Sequence, residues 1–342
     1  LIVALDATYS VGDDLSGIGV YSREALWGLA AAHPEARFHF CYRPRQFLRS
    51  FRQPLPSNAR RRLLLEDVPV RASLLHALNQ RLPRARPPRT VSTFHDLFVL
   101  TGDYSTPEFR RRFTRQARDA AARSDAIIAV SSFTAAQVVG LLGVEPARVH
   151  VVHHGVRQPA RTSAARENVV LHVGAIQKRK NLVRLVEAFE RLPPDWSLVL
   201  AGSTSGYGAA EVLARQESSP ARARIHVTGY LQPAELARCY ARARIFAFPS
   251  LDEGFGMPVL EAMAAGVPVV ASTRGALPEV CGDAAMLVDA ESAESIAEAL
   301  TALARSAPLR EEYARRGTMR AAEFTWQKTV ERIWAVYSSL GL

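Results

Sequence analysis

Three groups of side chains in this sequence have types and spacings suited to chemistry. The first is a pair of glutamates, Glu253 and Glu261, separated by seven residues in the run Pro-Ser-Leu-Asp-Glu-Gly-Phe-Gly-Met-Pro-Val-Leu-Glu, residues 249–261. An ionised carboxylate accepts hydrogen bonds in pairs, as adjacent hydroxyls can offer them. The second is Arg179-Lys180, within Gly-Ala-Ile-Gln-Lys-Arg-Lys-Asn-Leu, residues 174–182. A planar fork beside a point charge suits a diphosphate. The third is His95-Asp96-Leu97. A histidine titrates nearest to neutral pH, and Asp96 is placed to orient it or to meet a second substrate. Taken singly, the glutamate pair and the histidine read more readily as solvated or structural polar residues, whereas the two cations at a helix start call for a partner. His153-His154 carries no metal signal, because neighbours on a strand point to opposite faces.

Each group needs elements to hold it. Ile245–Phe248 reads as a buried strand. Gly254 and Gly256 permit a tight turn after it. Pro258 suits the first turn of a helix that runs through Val259, Leu260 and Glu261 to Ala264 and stops near Gly266. This order, strand then glycine loop then helix start, turns unpaired N–H groups outward at the positive end of the helix dipole. It makes a seat for an anionic or hydroxyl-rich ligand. The same order recurs at Val169–Val173, where Arg179 and Lys180 precede a helix. Cations there oppose the dipole, so a bound anion would account for them. Thr90–Phe94 reads as a strand ending at His95, and open parallel sheets bind ligands at the carboxyl ends of strands. Ile2–Leu5 reads as the first strand, followed by Gly17-Ile18-Gly19 at a loop-to-helix junction, where glycines let backbone approach a phosphate. Ser22 stands where a dinucleotide fingerprint needs its third glycine.

The remaining pattern predicts strands over Arg37–Tyr42, Leu63–Leu65, Ala126–Val130, Val149–Val152, Ser197–Ala201, Ile225–Thr228 and Val267–Ala271. Pro44–Arg62 reads as a loop. Helices are expected over Ser73–Leu82, Phe133–Leu142, Pro233–Ala243, Ala293–Ala304, Leu309–Glu323 and Trp326–Leu340. Alternating strands and helices in both halves imply two doubly wound α/β domains. The 342 residues suit two domains of about 150–180 residues each. The expected division is 1–157, a polar linker at 158–168, 169–323, and a final helix at 324–342.

Composition narrows the setting. Three distant cysteines, Cys41, Cys239 and Cys281, fit a reducing compartment. No basic leader precedes Ile2, so no signal peptide is expected. The uncharged run Ala126–Val144 is broken by Ser131, Ser132, Thr134 and Gln137, and reads as strand, cap and helix rather than a membrane span. Residues 1–160 hold 22 Lys+Arg against 13 Asp+Glu, whereas residues 161–342 hold 21 against 20. The excess is arginine, at Arg60–Arg62, Arg81–Arg89, and a helical stripe of Arg110, Arg111, Arg112, Arg115 and Arg118. Such a surface suits anionic headgroups or a phosphate-bearing acceptor more than nucleic acid.

The Glu253-x7-Glu261 run, with Arg179-Lys180-Asn181, resembles the signature of retaining glycosyltransferases of family GT4. The resemblance is strong from Gly174 to Asp289 and thinner before residue 90. It implies the GT-B fold: α/β, two Rossmann-like doubly wound parallel-sheet domains facing each other across a cleft, with the last helix crossing back to the first. It implies a nucleotide-sugar donor, no resident cofactor and no metal; the metal-binding Asp-x-Asp of the other architecture is absent. Arg179 and Lys180 would hold the donor diphosphate, with Ala175 standing where the family often has a further basic residue. Glu261 would hold ribose hydroxyls, Glu253 hydroxyls of the sugar, and the backbone of Gly254, Phe255, Gly256 and Met257, leading into Pro258, Val259 and Leu260, would grip the donor. Gly17 and Gly19 resemble the glycine loop facing the donor. The loop from Gly202 would approach it, and Tyr230-Leu231 would meet the nucleobase. His95 would face sugar and acceptor, with Asp96 on the acceptor side. Both a nucleophilic and a purely electrostatic Glu253 are compatible with the sequence. The implied activity is transfer of a hexose, first mannose from GDP-mannose, to a glycan or lipid-linked acceptor in cell-surface polysaccharide synthesis. The setting would be cytoplasmic, peripheral on the inner face of the membrane. The alternatives are a GT-B epimerase or hydrolase acting on nucleotide sugars, or a noncatalytic nucleotide-sugar-binding scaffold.

Overall fold

Apolar runs bounded by glycine, proline and polar residues form parallel strands buried on both faces. The computed structural model describes residues 1–12, 15–85, 87, 89–157 and 165–341. The first sheet holds β1 (Ile2–Asp6), β2 (Arg37–Tyr42), β3 (Ala59–Leu63), β4 (Leu74–Ala77), β5 (Arg89–Phe94), β6 (Ala126–Ala129) and β7 (Val149–Val151), in the order β3-β2-β1-β4-β5-β6-β7. The second holds β8 (Glu167–Val173), β9 (Ser197–Ala201), β10 (Ile225–Gly229), β11 (Ala243–Phe248), β12 (Val269–Ser272) and β13 (Ala285–Val288), in the order β10-β9-β8-β11-β12-β13. Every pairing among these strands is parallel. In each sheet the strand order reverses once, between β1 and β4 and between β8 and β11. The chain parts leave those points in opposite directions and open a crevice at the strands' carboxyl ends.

The chain divides into two compact units. One comprises Leu1–Thr101, Pro107–Gly155 and Phe324–Leu342; the other comprises Gly102–Thr106 and Val156–Glu323. The expected linker falls largely on 158–164, outside the described residues. Its end is no linker, because β8 begins at Glu167. Arg166 is anchored in the second unit, donating to Ala243 O at 2.7 Å and Ala265 O at 2.6 Å. The last helix, Trp326–Ser339, is capped by Thr325 and packs Val330, Ile333, Val336 and Tyr337 into the first unit's core. Gly28 makes that approach possible, since a Cβ there would lie 2.6 Å from Val330 Cγ2.

Three local expectations fail, each for a physical reason. Ser73–Leu82 carries helix-favouring Leu and Ala, yet Leu74–Ala77 is a central strand with all four residues buried; tertiary burial overrides weak propensity. Pro44–Arg62 is not a loop. Pro44–Ser50 is a short helix started by its proline, and Ala59–Leu63 is a strand. The latter displaces the strand expected at Leu63–Leu65. Its Arg-Arg-Arg run hid it, but edge strands carry charge readily.

Candidate active site

The loops after β8 and β11 lie side by side at the second sheet's reversal point. After β8 the chain turns at Gly174, φ +150°, and a Cβ there would stand 3.5 Å from Lys180 Cε and 3.6 Å from His172 Nε2. Lys178–Lys180 then form a single 3-10 turn, closed by Asn181 at φ 60°. Asparagine tolerates this left-handed conformation because its short side chain bonds locally. Here Asn181 Nδ2 donates to Pro249 O at 3.0 Å and Ala290 O at 2.6 Å, tying the loop after β8 to the one after β11. Leu251 N adds a second tie, to Arg179 O at 2.8 Å. The two cations thus stand one turn ahead of the helix Leu182–Phe189.

They share a partner that the sequence did not pair with them. Arg179 Nη1 donates to Glu253 Oε1 at 2.7 Å, and Lys180 Nζ donates to the same oxygen. Glu253 is 7% exposed and Lys180 6%. Burial alone would raise the Glu253 carboxyl, but Arg179 and Lys180 outweigh it and hold it below the ordinary carboxylate range. Arg179 also donates to Asp252 O at 3.0 Å, and Lys180 Nζ lies 4.5 Å from the Phe248 ring centroid. The Glu253 backbone is fixed from the far side. Gly275, φ +64°, lies so close that a Cβ would come within 2.6 Å of Glu253 O, and Ala276 N donates to that oxygen at 2.9 Å.

Gly254, Phe255 and Gly256 are buried, and Gly256 at φ +97° turns the chain into the helix Met257–Ala264. Pro258 sits in its first turn and Val259 and Leu260 face the core. One turn on, Glu261 Oε2 accepts from Tyr240 Oη at 2.8 Å. Burial raises the Glu261 carboxyl, and the tyrosine's bond pulls against that. Tyr240 is the one buried residue of the helix Pro233–Arg242. The sequence shows only a tyrosine on a polar helix, and its pairing with Glu261 comes from the sheet's packing. Beneath Lys180, His172 Nδ1 donates to Ala247 O at 2.9 Å, and burial drives the ring down to about 4, so it is neutral with Nε2 as acceptor.

In the first unit His95 follows β5. Its Nε2 donates to Leu78 O at 2.9 Å, and burial lowers it to about 4. The ring is therefore a neutral imidazole with its lone pair on Nδ1. Tyr21 meets its edge at 4.8 Å and His154 stacks on it at 5.4 Å. A buried chain backs this cluster: Tyr21 Oη to Thr93 Oγ1 at 3.1 Å, Thr93 Oγ1 to His76 Nε2 at 2.8 Å, His76 Nδ1 to Tyr337 Oη at 2.6 Å. Asp96 is partly buried beside His95.

The remaining expected donor residues divide. Tyr230 is 46% exposed and Leu231 partly so, after β10. Gly202 lets two strand ends pass, since a Cβ would lie 2.0 Å from Gly174 O. Gly17 and Gly19 open the helix Gly17–Ala32, where Ser16 takes the Gly19 N–H as a cap at 3.3 Å and a Cβ on Gly19 would lie 2.8 Å from Tyr9 O. Gly19 thus serves close packing, with its amide already used. Among the described residues no three His, Cys, Asp or Glu side chains cluster as metal ligands.

Residues 157–320 match the family model of glycosyl transferases group 1, and residues 20–158 that of glycosyltransferase family 4. The chain belongs to the GT4 glycosyltransferases. It is 29% identical over 284 residues to the O-antigen chain mannosyltransferase B of Escherichia coli, covering 78% of this chain and 74% of that one. It is 31% identical over 274 residues to the D-inositol 3-phosphate glycosyltransferase of Mycobacteroides abscessus, covering 75% of this chain but only 60% of the relative's length. Its fold is GT-B. The sucrose-phosphate synthase of Thermosynechococcus elongatus superposes with a TM-score of 0.80 at 20% identity, over 99% of this chain and 98% of that one. Anabaena HepE in complex with UDP-glucose superposes with 0.75 at 18% identity, over 99% of each chain.

Proposed function

We propose that this glycosyltransferase moves a hexose from a nucleotide sugar to a glycan or lipid-linked acceptor with retention of configuration, in cell-surface polysaccharide synthesis. The observation that carries the reading is the buried Arg179–Glu253–Lys180 cluster at the reversal point of the second sheet. Two cations converge on one Glu253 oxygen in the loop that leads into the helix Met257–Ala264, whose N-terminal N–H groups add positive potential, a setting matched to a diphosphate. In the proposed reaction the bond between the anomeric carbon and the diphosphate oxygen breaks, and its electron pair leaves with the phosphate. Arg179, Lys180 and the loop N–H groups meet that growing charge better than they meet the ground state. The acceptor oxygen bonds to the anomeric carbon from the same face, and its proton passes to the departing phosphate. These residues supply the positive charge themselves, so neither a resident cofactor nor a divalent ion is assigned a step.

Glu253 keeps both cation heads in register and accepts hydroxyls of the donor sugar. Its depressed pKa keeps it charged, in line with an electrostatic role. Glu261 accepts the ribose hydroxyls, and Tyr230, exposed after β10, meets the nucleobase. Neutral His95, with its Nδ1 lone pair, accepts a hydroxyl rather than delivering a proton, and Asp96 serves the acceptor side. Mannose from GDP-mannose is the first donor, the mannose alone being supported by the name of the Escherichia coli relative; the UDP-glucose complex of HepE makes a uridine donor the main competitor. The test is release of nucleoside diphosphate from GDP-mannose, UDP-glucose and a dTDP-sugar, with and without a lipid-linked glycan and with and without a chelator. Acceptor-dependent release with an axial product linkage from GDP-mannose is expected. Release of free sugar at the same rate without acceptor would make the chain a hydrolase.

A further inference from the structure

We propose that Asp6 and Arg43 form a subsite for a neutral sugar of the acceptor, which they hold by two adjacent hydroxyls. Strand alternation builds it. Ala4, Cys41 and Leu64 pack in a small apolar cluster on one face of the first sheet. Side chains two residues apart share a face, so Asp6, Arg43 and Glu66 continue that face at and beyond the carboxyl ends of β1, β2 and β3. The strand order reverses between β1 and β4, which places Asp6 beside the first sheet's own crevice.

The two key groups are buried and only half satisfied. Asp6 is 1% exposed and Arg43 8%. Asp6 Oδ1 accepts from Thr8 N at 3.0 Å, while Oδ2 accepts nothing. Arg43 Nη1 donates to Glu66 Oε1, while its Nε and Nη2 donate to nothing. Arg81 Nη2 holds the same Glu66 oxygen at 3.1 Å. One side of the Arg43 fork is thus spent on Glu66 and the other is kept. Burial raises the Asp6 carboxyl, and Arg43 is the strongest group pulling against that, so the two lie within electrostatic reach. Yet Arg43 pairs with Glu66 and not with Asp6. Buried polar atoms left unpaired are costly and call for a partner.

The chemistry of the set selects that partner. With Asp6 ionised, two cations and two carboxylates balance, and no net charge is left to draw a phosphate. A free acceptor beside two free N–H groups needs a ligand that both donates and accepts. Adjacent hydroxyls do this: one gives its proton to Asp6 Oδ2, and its neighbour's oxygen takes the Arg43 N–H groups. A phosphate dianion has no proton for Asp6 and would face its charge. Glu66 and Arg81, with side chains 38% and 41% exposed, form the rim. The inference rests on reading the first unit as the acceptor side, and it narrows the acceptor to one recognised through sugar hydroxyls.

The experiment is saturation-transfer NMR of the full chain with methyl glycosides of mannose, glucose and galactose, with their diol-methylated derivatives and with mannose 6-phosphate, in rising salt and without donor. At least one neutral glycoside should bind with no loss to salt, and its methylated form should not. Asp6→Asn puts a donor where the free acceptor stands, because Thr8 N holds the amide oxygen. Arg43→Lys keeps the charge for Glu66 but lacks the fork. Each should weaken binding about 10- to 100-fold, the worth of hydrogen bonds to a charged group. Arg84→Ala, in the nearby basic run and paired with Asp67 at the surface, should change nothing. Melting curves show that each variant is folded, and either variant alone carries the test. In turnover both should raise the acceptor KM and spare the donor KM. A wild type without acceptor-dependent release would sink the transfer reading, whereas glycoside binding lost in Asp6→Asn would still support the subsite. No glycoside binding, binding that survives both substitutions, tighter and salt-weakened binding of mannose 6-phosphate, a shift in donor KM instead, or a glycoside-soaked crystal with only a water between Asp6 and Arg43 would overturn it.

Discussion

The two units place different chemistry at the carboxyl ends of their strands. In the first, one buried cluster is His76, His95, His154, Thr93 and Tyr21, and burial keeps those histidines neutral; Asp6 and Arg43, also buried, lie apart from it at the ends of β1 and β2. In the second, the buried group is an ion cluster, Glu253 with Arg179 and Lys180, and it stays charged. A buried charge survives only where opposite charge is fixed beside it. A buried imidazole survives by shedding its proton and using its ring nitrogens as one donor and one acceptor. The difference teaches that a buried ionisable group is kept in two ways here, an imidazole by losing its charge and a carboxylate by paired cations.

The comparison breaks most visibly if the charged cluster is dispensable. Lys180→Ala should lower turnover about 10²- to 10³-fold, the scale of removing one preorganised stabiliser of a developing oxyanion. Steady-state nucleotide release checks this, with a melting curve to show that the chain remains folded. Arg179→Ala should cost less, because its side chain is the more exposed of the two, 13% against 7%, and a better-solvated charge stabilises less. Turnover unchanged in Lys180→Ala would return the cluster to a structural role.

Acid should separate the units. His76 and His95 have folded pKa values of about 3 and about 4, and His154 lies well below the ordinary 6.5. Their folded values are depressed, so the unfolded chain binds more protons. Their contribution is complete above pH 6.5 and drains away as pH falls toward the folded values, at up to about 1.4 kcal/mol per pH unit for each. The second unit carries one such histidine, His172. Glu253, also depressed, loses its contribution only below its ordinary 4.5, and Glu261, raised, has the opposite sign and gains as pH falls through its folded value. The first unit should therefore unfold at the higher pH. Tryptophan fluorescence checks it: Trp27, Trp326 and Trp334 report the first unit, Trp196 the second, and Trp196→Phe leaves the first alone. Simultaneous loss of both signals would erase the distinction.

The parts of this contrast that could be read from the sequence follow a rule of range. The run from Pro249 to Glu261 is local, and its strand, glycine turn and proline-started helix stand nearly where the pattern put them. The histidine at the end of β5 is legible for the same reason. The pairings are not. Arg179 and Glu253 lie 74 residues apart and His76 and Tyr337 lie 261 apart, joined only by sheet order and by the return of the last helix. Within the first unit, Leu74–Ala77 was misread because leucine and alanine report propensity, while a central strand is decided by what covers it. The same limit hid Tyr240, whose position on a polar helix gives no local hint of Glu261.

That tyrosine sharpens the charged side of the comparison by the smallest expected effect. Among the described residues Glu261, unlike Glu253, has no cation paired with it, and it takes its support from Tyr240 Oη at 2.8 Å. If it holds the ribose hydroxyls as a carboxylate, donor affinity must fall as pH drops through its raised folded value. Tyr240→Phe removes the one bond that opposes the raising, so the carboxyl should move further up and the acid limb of donor affinity should shift to higher pH. At neutral pH the cost should be only about two- to tenfold in KM for the donor, the worth of one hydrogen bond to a partly buried group, with kcat nearly unchanged. Glu261→Gln should abolish the acid limb altogether. A Tyr240→Phe enzyme whose pH profile for donor KM superimposes on the wild type would show that the tyrosine merely fills space, and that Glu261 owes its placement to the helix alone.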